Sequence, residues 1–187
     1  MFGTYRTLLA LCVMAHHLIG IRVLGPFAVH GFFILSGYLM TYIMHNSYGY
    51  SRTGLISFSK NRALRLFPSY WLLLLFSAGI VYVFGSELTS QYRHFIYMPT
   101  DWLQWLQNIF LIYPDLFPGS IEPRLSPPTW ALTIELLFYL LIGIGISKSR
   151  SATLAWASVS ATYMCVTHIL GLSHEYRYSI LLAGSLP

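Results

Sequence analysis

Arg6 and His17 lie eleven residues apart in the stretch RTLLALCVMAHHLIG, residues 6–20, which is otherwise almost wholly apolar. On a helix, eleven steps of about 100° make close to three turns, so the two side chains share a face with their Cα atoms roughly 16 Å apart. His16 then points about 100° away from that face. A guanidinium binds oxyanions, and an imidazole exchanges protons near neutral pH. The plainer alternative is a neutral histidine hydrogen-bonded to a neighbouring helix.

Two more places carry chemistry. Arg62 and Arg65 in KNRALRLFPSY are three residues apart, a spacing that projects both side chains the same way on a helix. A pair of guanidinium forks suits a phosphate-bearing ligand, and it equally suits simple anchoring at a membrane face. Glu135 lies in PPTWALTIELLFYLL, a few residues after Trp130. If Trp130 marks the outer interface, Glu135 sits about one and a half turns into the outer half of the membrane. An unpaired carboxylate there is costly, so it needs His17, His30, water or a substrate as partner.

The elements that must hold these residues are apolar. Of 187 residues, 56% are hydrophobic and 9% charged, against about 25% charged in an ordinary soluble domain. So few charges cannot cover a globular surface, and the mean hydropathy of +0.59 agrees. The net charge of +5 then reflects membrane topology rather than nucleic-acid binding. Cys12 and Cys165 both fall in apolar runs with no CxxC spacing. They read as buried inert thiols, with no disulfide and no metal site expected.

Apolar runs cover residues 7–24, 27–44, 67–84, 129–147 and 152–172, and YSILLAGSLP at 178–187 begins another. A bilayer core takes roughly 17–25 apolar residues per helix. The expected fold is therefore an all-α polytopic membrane helix bundle, with about five complete spans and the start of a sixth in one domain, 1–187. Pro68 is expected to end the segment carrying Arg62 and Arg65 just before the third run. Charge sets the topology. Arg52, Lys60, Arg62 and Arg65 precede the third run, and Lys148 and Arg150 follow the fourth. Both groups belong in the cytoplasm by the positive-inside rule. DWLQWLQNIFLIYP, residues 101–114, is then interfacial or re-entrant within a long external loop, residues 85–128, and the N-terminus is cytoplasmic. The first run also resembles a signal peptide, but its positive region is thin and its crossing is needed to keep the later charges inside.

Four motifs, in order, make the chain resemble the membrane acyltransferase-3 family. They are Arg6 with His17, GFFILSGYLM at 31–40, Arg62 and Arg65 with Pro68, and TWALTIELLFYLL at 129–141. The resemblance covers the whole chain but only the first half of the family's membrane domain, so the chain is expected to be C-terminally incomplete. It implies a bacterial inner-membrane enzyme moving an acyl group, typically acetyl, from cytoplasmic acyl-CoA to a hydroxyl of a cell-surface sugar or glycan. It further implies that Arg62 and Arg65 hold the phosphates of acetyl-CoA and that Arg6 helps to position the donor. His17 would be the general base, and Glu135 would approach from the outer half to orient His17 or the acceptor. No metal is implied. His30 stands where many relatives carry aspartate and receives no role. Ser36 and Gly37 read as close-packing residues, with Ser36 as nucleophile the lesser reading, and His16 reads as structural. Two other readings stay open: a transporter or proton relay with His17 and Glu135 as carriers, and an inactive truncated remnant.

Overall fold

The computed structural model describes residues 2–21, 24–112, 122–126 and 129–172. Its described residues are helical with no strand. The final apolar stretch, 178–187, lies outside them. Among the described residues two helices are long and apolar enough to cross a bilayer, Phe27–Tyr48 and Arg52–Phe84. A third apolar helix has 16 residues.

Helices α1 (Phe2–Ile19) and α2 (Leu24–Ile43) form a hairpin. They approach closely because glycine stands on α2 at two crossing points. A Cβ on Gly31 would lie 3.0 Å from the buried Leu9 side chain, and one on Gly25 would lie 2.6 Å from the His16 ring. Small residues at such seams replace the hydrophobic drive that lipid cannot supply. The hairpin bend is fixed locally, with the His16 Nδ1–H donating to the Ile21 carbonyl at 3.0 Å.

α2 runs into a π-helical turn, Met44–Tyr48. Gly49 (φ 68°) turns the chain there, a backbone that favours glycine. Ser51 then caps α3 (Arg52–Phe84) by accepting from the Gly54 amide at 3.1 Å. At 33 residues, α3 is about 50 Å long, well beyond the roughly 30 Å hydrocarbon core. Pro68 does not end a segment as expected: it lies inside this one helix. Neighbouring helices and hydroxyls can re-satisfy backbone freed by a membrane proline. Pro68 leaves the Leu64 carbonyl without its usual donor, and nearby Ser69 Oγ donates to the Leu66 carbonyl at 3.2 Å.

Beyond α3 come two short helices, α4 (Ser86–Tyr92) and α5 (Trp102–Phe110). Asp101 caps α5 by accepting from Gln104 N at 2.8 Å. With 9 residues α5 is far too short to span. Its C-terminal end docks midway along α3. The Tyr70 hydroxyl donates to the Asn108 carbonyl, and Trp71 Nε1 donates to the Ile109 carbonyl at 3.1 Å. Tyr70 is fourteen residues short of the end of α3, about 21 Å along its axis. The segment thus packs back along α3.

α6 (Thr129–Ile144) starts at that depth, with Thr133 Oγ1 donating to the Leu111 carbonyl at 2.9 Å. The turn into α7 (Arg150–Ile169) is tied back to the end of α2. Thr41 Oγ1 donates to Ser147 Oγ at 2.9 Å, and His45 Nε2 donates to the Ser147 carbonyl at 2.8 Å. The two basic segments, 52–65 and 148–150, therefore lie at one end of the bundle, as the charge argument requires. The main core joins α2, α3 and α6 through Met40, Met44, Phe58, Leu66, Tyr70 and Ile142. Cys12 is half-buried and Cys165 is exposed on α7, so the expected burial fails for the second thiol.

Candidate active site

Four helices line an open cavity of about 410 Å³. α1 contributes Arg6, α2 Ser36, α3 Arg65 and Ser69, and α6 Glu135 and Tyr139. The pairs from α3 (Arg65, Ser69) and α6 (Glu135, Tyr139) follow i, i+4 spacing, which stacks side chains on one helix face. Phe32 and Leu132 supply apolar wall, and Tyr70 closes the side held by the α5 contact. The cavity therefore mixes cationic, hydroxyl and carboxylate groups within a low-polarity frame, the usual composition of a small-molecule site.

Arg6, Arg65 and Glu135, all read from the sequence as site residues, meet on this one cavity. α6 enters at mid-depth along α3, which brings its second turn level with Arg65. The Tyr139 hydroxyl donates to Glu135 Oε1.

The two arginines of α3 do not face the same space. Arg65 is exposed and lines the cavity. Arg62 is 9% exposed in the seam between α2 and α3. Its NH1 donates to the Met40 sulfur at 3.4 Å, its guanidinium lies 5.8 Å from the Phe58 ring centroid, and its Nε has no hydrogen-bond partner. Three residues of helix is about 300°, so the two side chains are offset by about 60°. That offset puts one in the seam and the other on the cavity. A thioether is a weak acceptor, so Arg62 remains a buried charge without a carboxylate partner among the described residues.

His17 is exposed and does not line the cavity. Its ring makes an edge contact with His16 at 5.0 Å between centroids. His16 is the structural member of the pair, packed over Gly25 and bonded to the hairpin bend. Ser36 is 7% exposed yet contributes to the cavity wall. Tyr139 and Ser69 had no role in the sequence reading. The four-residue spacing of Glu135 and Tyr139 was the one signal for the first, and Ser69 offered none. Among the described residues no three His, Cys, Asp or Glu side chains gather as a metal site.

An excess of guanidinium over carboxylate fits a polyanionic ligand. The single carboxylate is already engaged by Tyr139, and Arg62 Nε is orphaned. The profile of the acyltransferase domain family, acyltransferase 3, matches residues 4–186. The chain is 32% identical over 182 residues to a Bacillus subtilis (strain 168) protein named "Putative peptidoglycan O-acetyltransferase YrhL", covering 91% of this chain and 28% of that protein. It is 30% identical over 142 residues to the O-acetyltransferase OatA of Staphylococcus aureus (strain NCTC 8325 / PS 47), covering 72% of this chain and 22% of the relative. The chain thus spans about a quarter of the length of these relatives. No solved structure matches it significantly. With the match running almost end to end, the chain belongs to the acyltransferase-3 family.

Proposed function

We propose that the chain forms part of an integral membrane O-acyltransferase that moves an acetyl group from cytoplasmic acetyl-CoA to a hydroxyl of a cell-surface glycan. The glycan class follows the printed name of the Bacillus relative, which specifies peptidoglycan. The enzyme sits in the bacterial inner membrane, multi-pass, with about five crossings in this chain and a cytoplasmic N-terminus. The observation that carries the reading is the cavity on which Arg6 and Arg65 meet Glu135.

Bound donor would supply an activated thioester, whose transfer breaks a C–S bond, forms a C–O ester bond and leaves the acceptor's hydroxyl proton with the free thiol. Arg65 and Arg6 bind the anionic end of the donor at the basic end of the bundle. Arg62, buried behind them, adds its charge to the field. Glu135 orients the acceptor and its proton. His17 lies on the Arg6 face of α1 but outside this cavity, about 16 Å further along the helix; in this proposal it is the general base, and the acceptor hydroxyl must be presented to it beyond the cavity's edge. Ser36 and Ser69 offer neutral hydrogen bonds along the wall.

Reconstituted protein supplied with radiolabelled acetyl-CoA and a peptidoglycan fragment tests this. Label in an alkali-labile ester on the glycan is the expected result. Label that crosses the bilayer without forming a covalent bond would replace the enzyme with a transporter.

A further inference from the structure

We propose that Tyr139 is a positioning residue for the transfer step, its phenol fixing the Glu135 carboxylate within the cavity. The proposal rests on the reading of Glu135 as part of the transfer machinery. The two residues are one helical turn apart on α6, and the Tyr139 hydroxyl donates directly to Glu135 Oε1. The phenol is itself held. Tyr139 is 9% exposed, and its ring meets Phe58 edge-on at 6.1 Å between centroids. Phe58 is 1% exposed and lies beside the Arg62 guanidinium. A ring seated in that way cannot swing, whereas a free glutamate samples many rotamers and loses that freedom only when something holds it.

The chemistry of the partner matters. An arginine in place of the phenol would pair with both carboxylate oxygens and neutralise them. A phenol gives one hydrogen bond and no charge, and a carboxylate has two oxygens with about four acceptor sites. One oxygen is thereby anchored. The other makes no hydrogen bond to the described residues and stays available to an acceptor hydroxyl. Phe58 meets the Tyr139 ring at 6.1 Å and the Arg62 guanidinium at 5.8 Å, so the anchor is braced against α3.

The test uses Y139F, E135Q and the double variant in lipid nanodiscs, with kcat and KM measured for acetyl-CoA transfer. Y139F keeps the ring and its packing and removes only the donor. It should lower kcat by about 10- to 100-fold, the range for losing one hydrogen bond to a charged group, with KM for acetyl-CoA unchanged. In the E135Q background the same change should alter the rate by less than about twofold, because coupled residues are not additive. An infrared readout independent of turnover accompanies it. The carboxyl band lost in E135Q should shift in Y139F. Equal losses from Y139F in both backgrounds, or an unshifted band, would mean a packing role and overturn the proposal. A parental rate in Y139F with a crippled E135Q defeats this proposal alone. A parental rate in E135Q defeats the reading of Glu135 on which it rests.

Discussion

Replacing Asn108 by alanine removes three hydrogen bonds from a side chain that is 0% exposed. Its Nδ2 donates to the Gln104 carbonyl at 2.9 Å and to the Pro123 carbonyl at 3.0 Å, and its Oδ1 accepts from the Leu125 amide at 3.1 Å. Gln104 lies within α5. Pro123 and Leu125 lie in irregular, buried chain just before α6. Alanine strands both of their groups. Each buried unsatisfied group costs about 1–3 kcal/mol, so N108A should lose about 2–6 kcal/mol. At this chain length 1 kcal/mol moves a melting temperature by about 2–4 °C, and the expected drop is on the order of 10 °C. Asn46 is the control. It also donates from Nδ2 to a backbone carbonyl, that of Tyr42 at 2.8 Å, but it is exposed. Water replaces the lost bond there, so N46A should stay within about 0.5 kcal/mol of the parent. Heat-induced loss of the monodisperse peak in detergent, followed by fluorescence size exclusion, measures both. N108A melting within about 2 °C of the parent would refute the docking of the 122–126 segment on α5.

His17→Ala should reduce acyl transfer by about 10²–10⁴-fold, while His16→Ala changes the rate by less than about tenfold, equivalent to under roughly 1.4 kcal/mol of barrier; initial rates in nanodiscs decide. Gly54→Ala would put a Cβ 2.2 Å from the Tyr48 carbonyl oxygen and 2.6 Å from that of Gly49. Backbone must move to admit it, so the melting midpoint should fall by an amount equivalent to about 1–3 kcal/mol. In a cysteine-free background, single cysteines at Ser90 and Ser51 report topology. An impermeant thiol reagent on intact cells should label Ser90→Cys and spare Ser51→Cys, and the reverse pattern would invert the bundle.

The apolar runs gave away the long helices because lipid demands continuous hydrophobic sequence, and each basic cluster marked one end of the bundle. That α5 is too short to span was legible from its length, and the flanking charges argued against another crossing. The position of α6 against its neighbours was not legible. Trp130 offered only a marker for a membrane interface, whereas Leu111 and Asn108, brought in from a distant loop, set where α6 starts along α3. Pro68 carried a soluble-protein rule into a helix whose neighbours can absorb the lost bond. Arg62 and Arg65 looked equivalent because their different fates depend on where α2 passes, a non-local fact. Tyr139 was visible in the motif, but its function needs the geometry of its hydroxyl. Asn108 carried no pattern at all, since a lone asparagine in an amphipathic stretch reads as surface.

Acetyl-CoA affinity of Arg65→Glu tests the central claim most directly, because Arg65 is exposed on the cavity wall and its reversal leaves the packed core untouched. Isothermal titration of nanodisc-reconstituted protein should show at least about a tenfold loss, which corresponds to about 1.4 kcal/mol. Arg65→Lys should fall between, since lysine keeps the charge and loses the fork. Parental affinity for acetyl-CoA in Arg65→Glu would contradict the assignment of this cavity to the acyl donor.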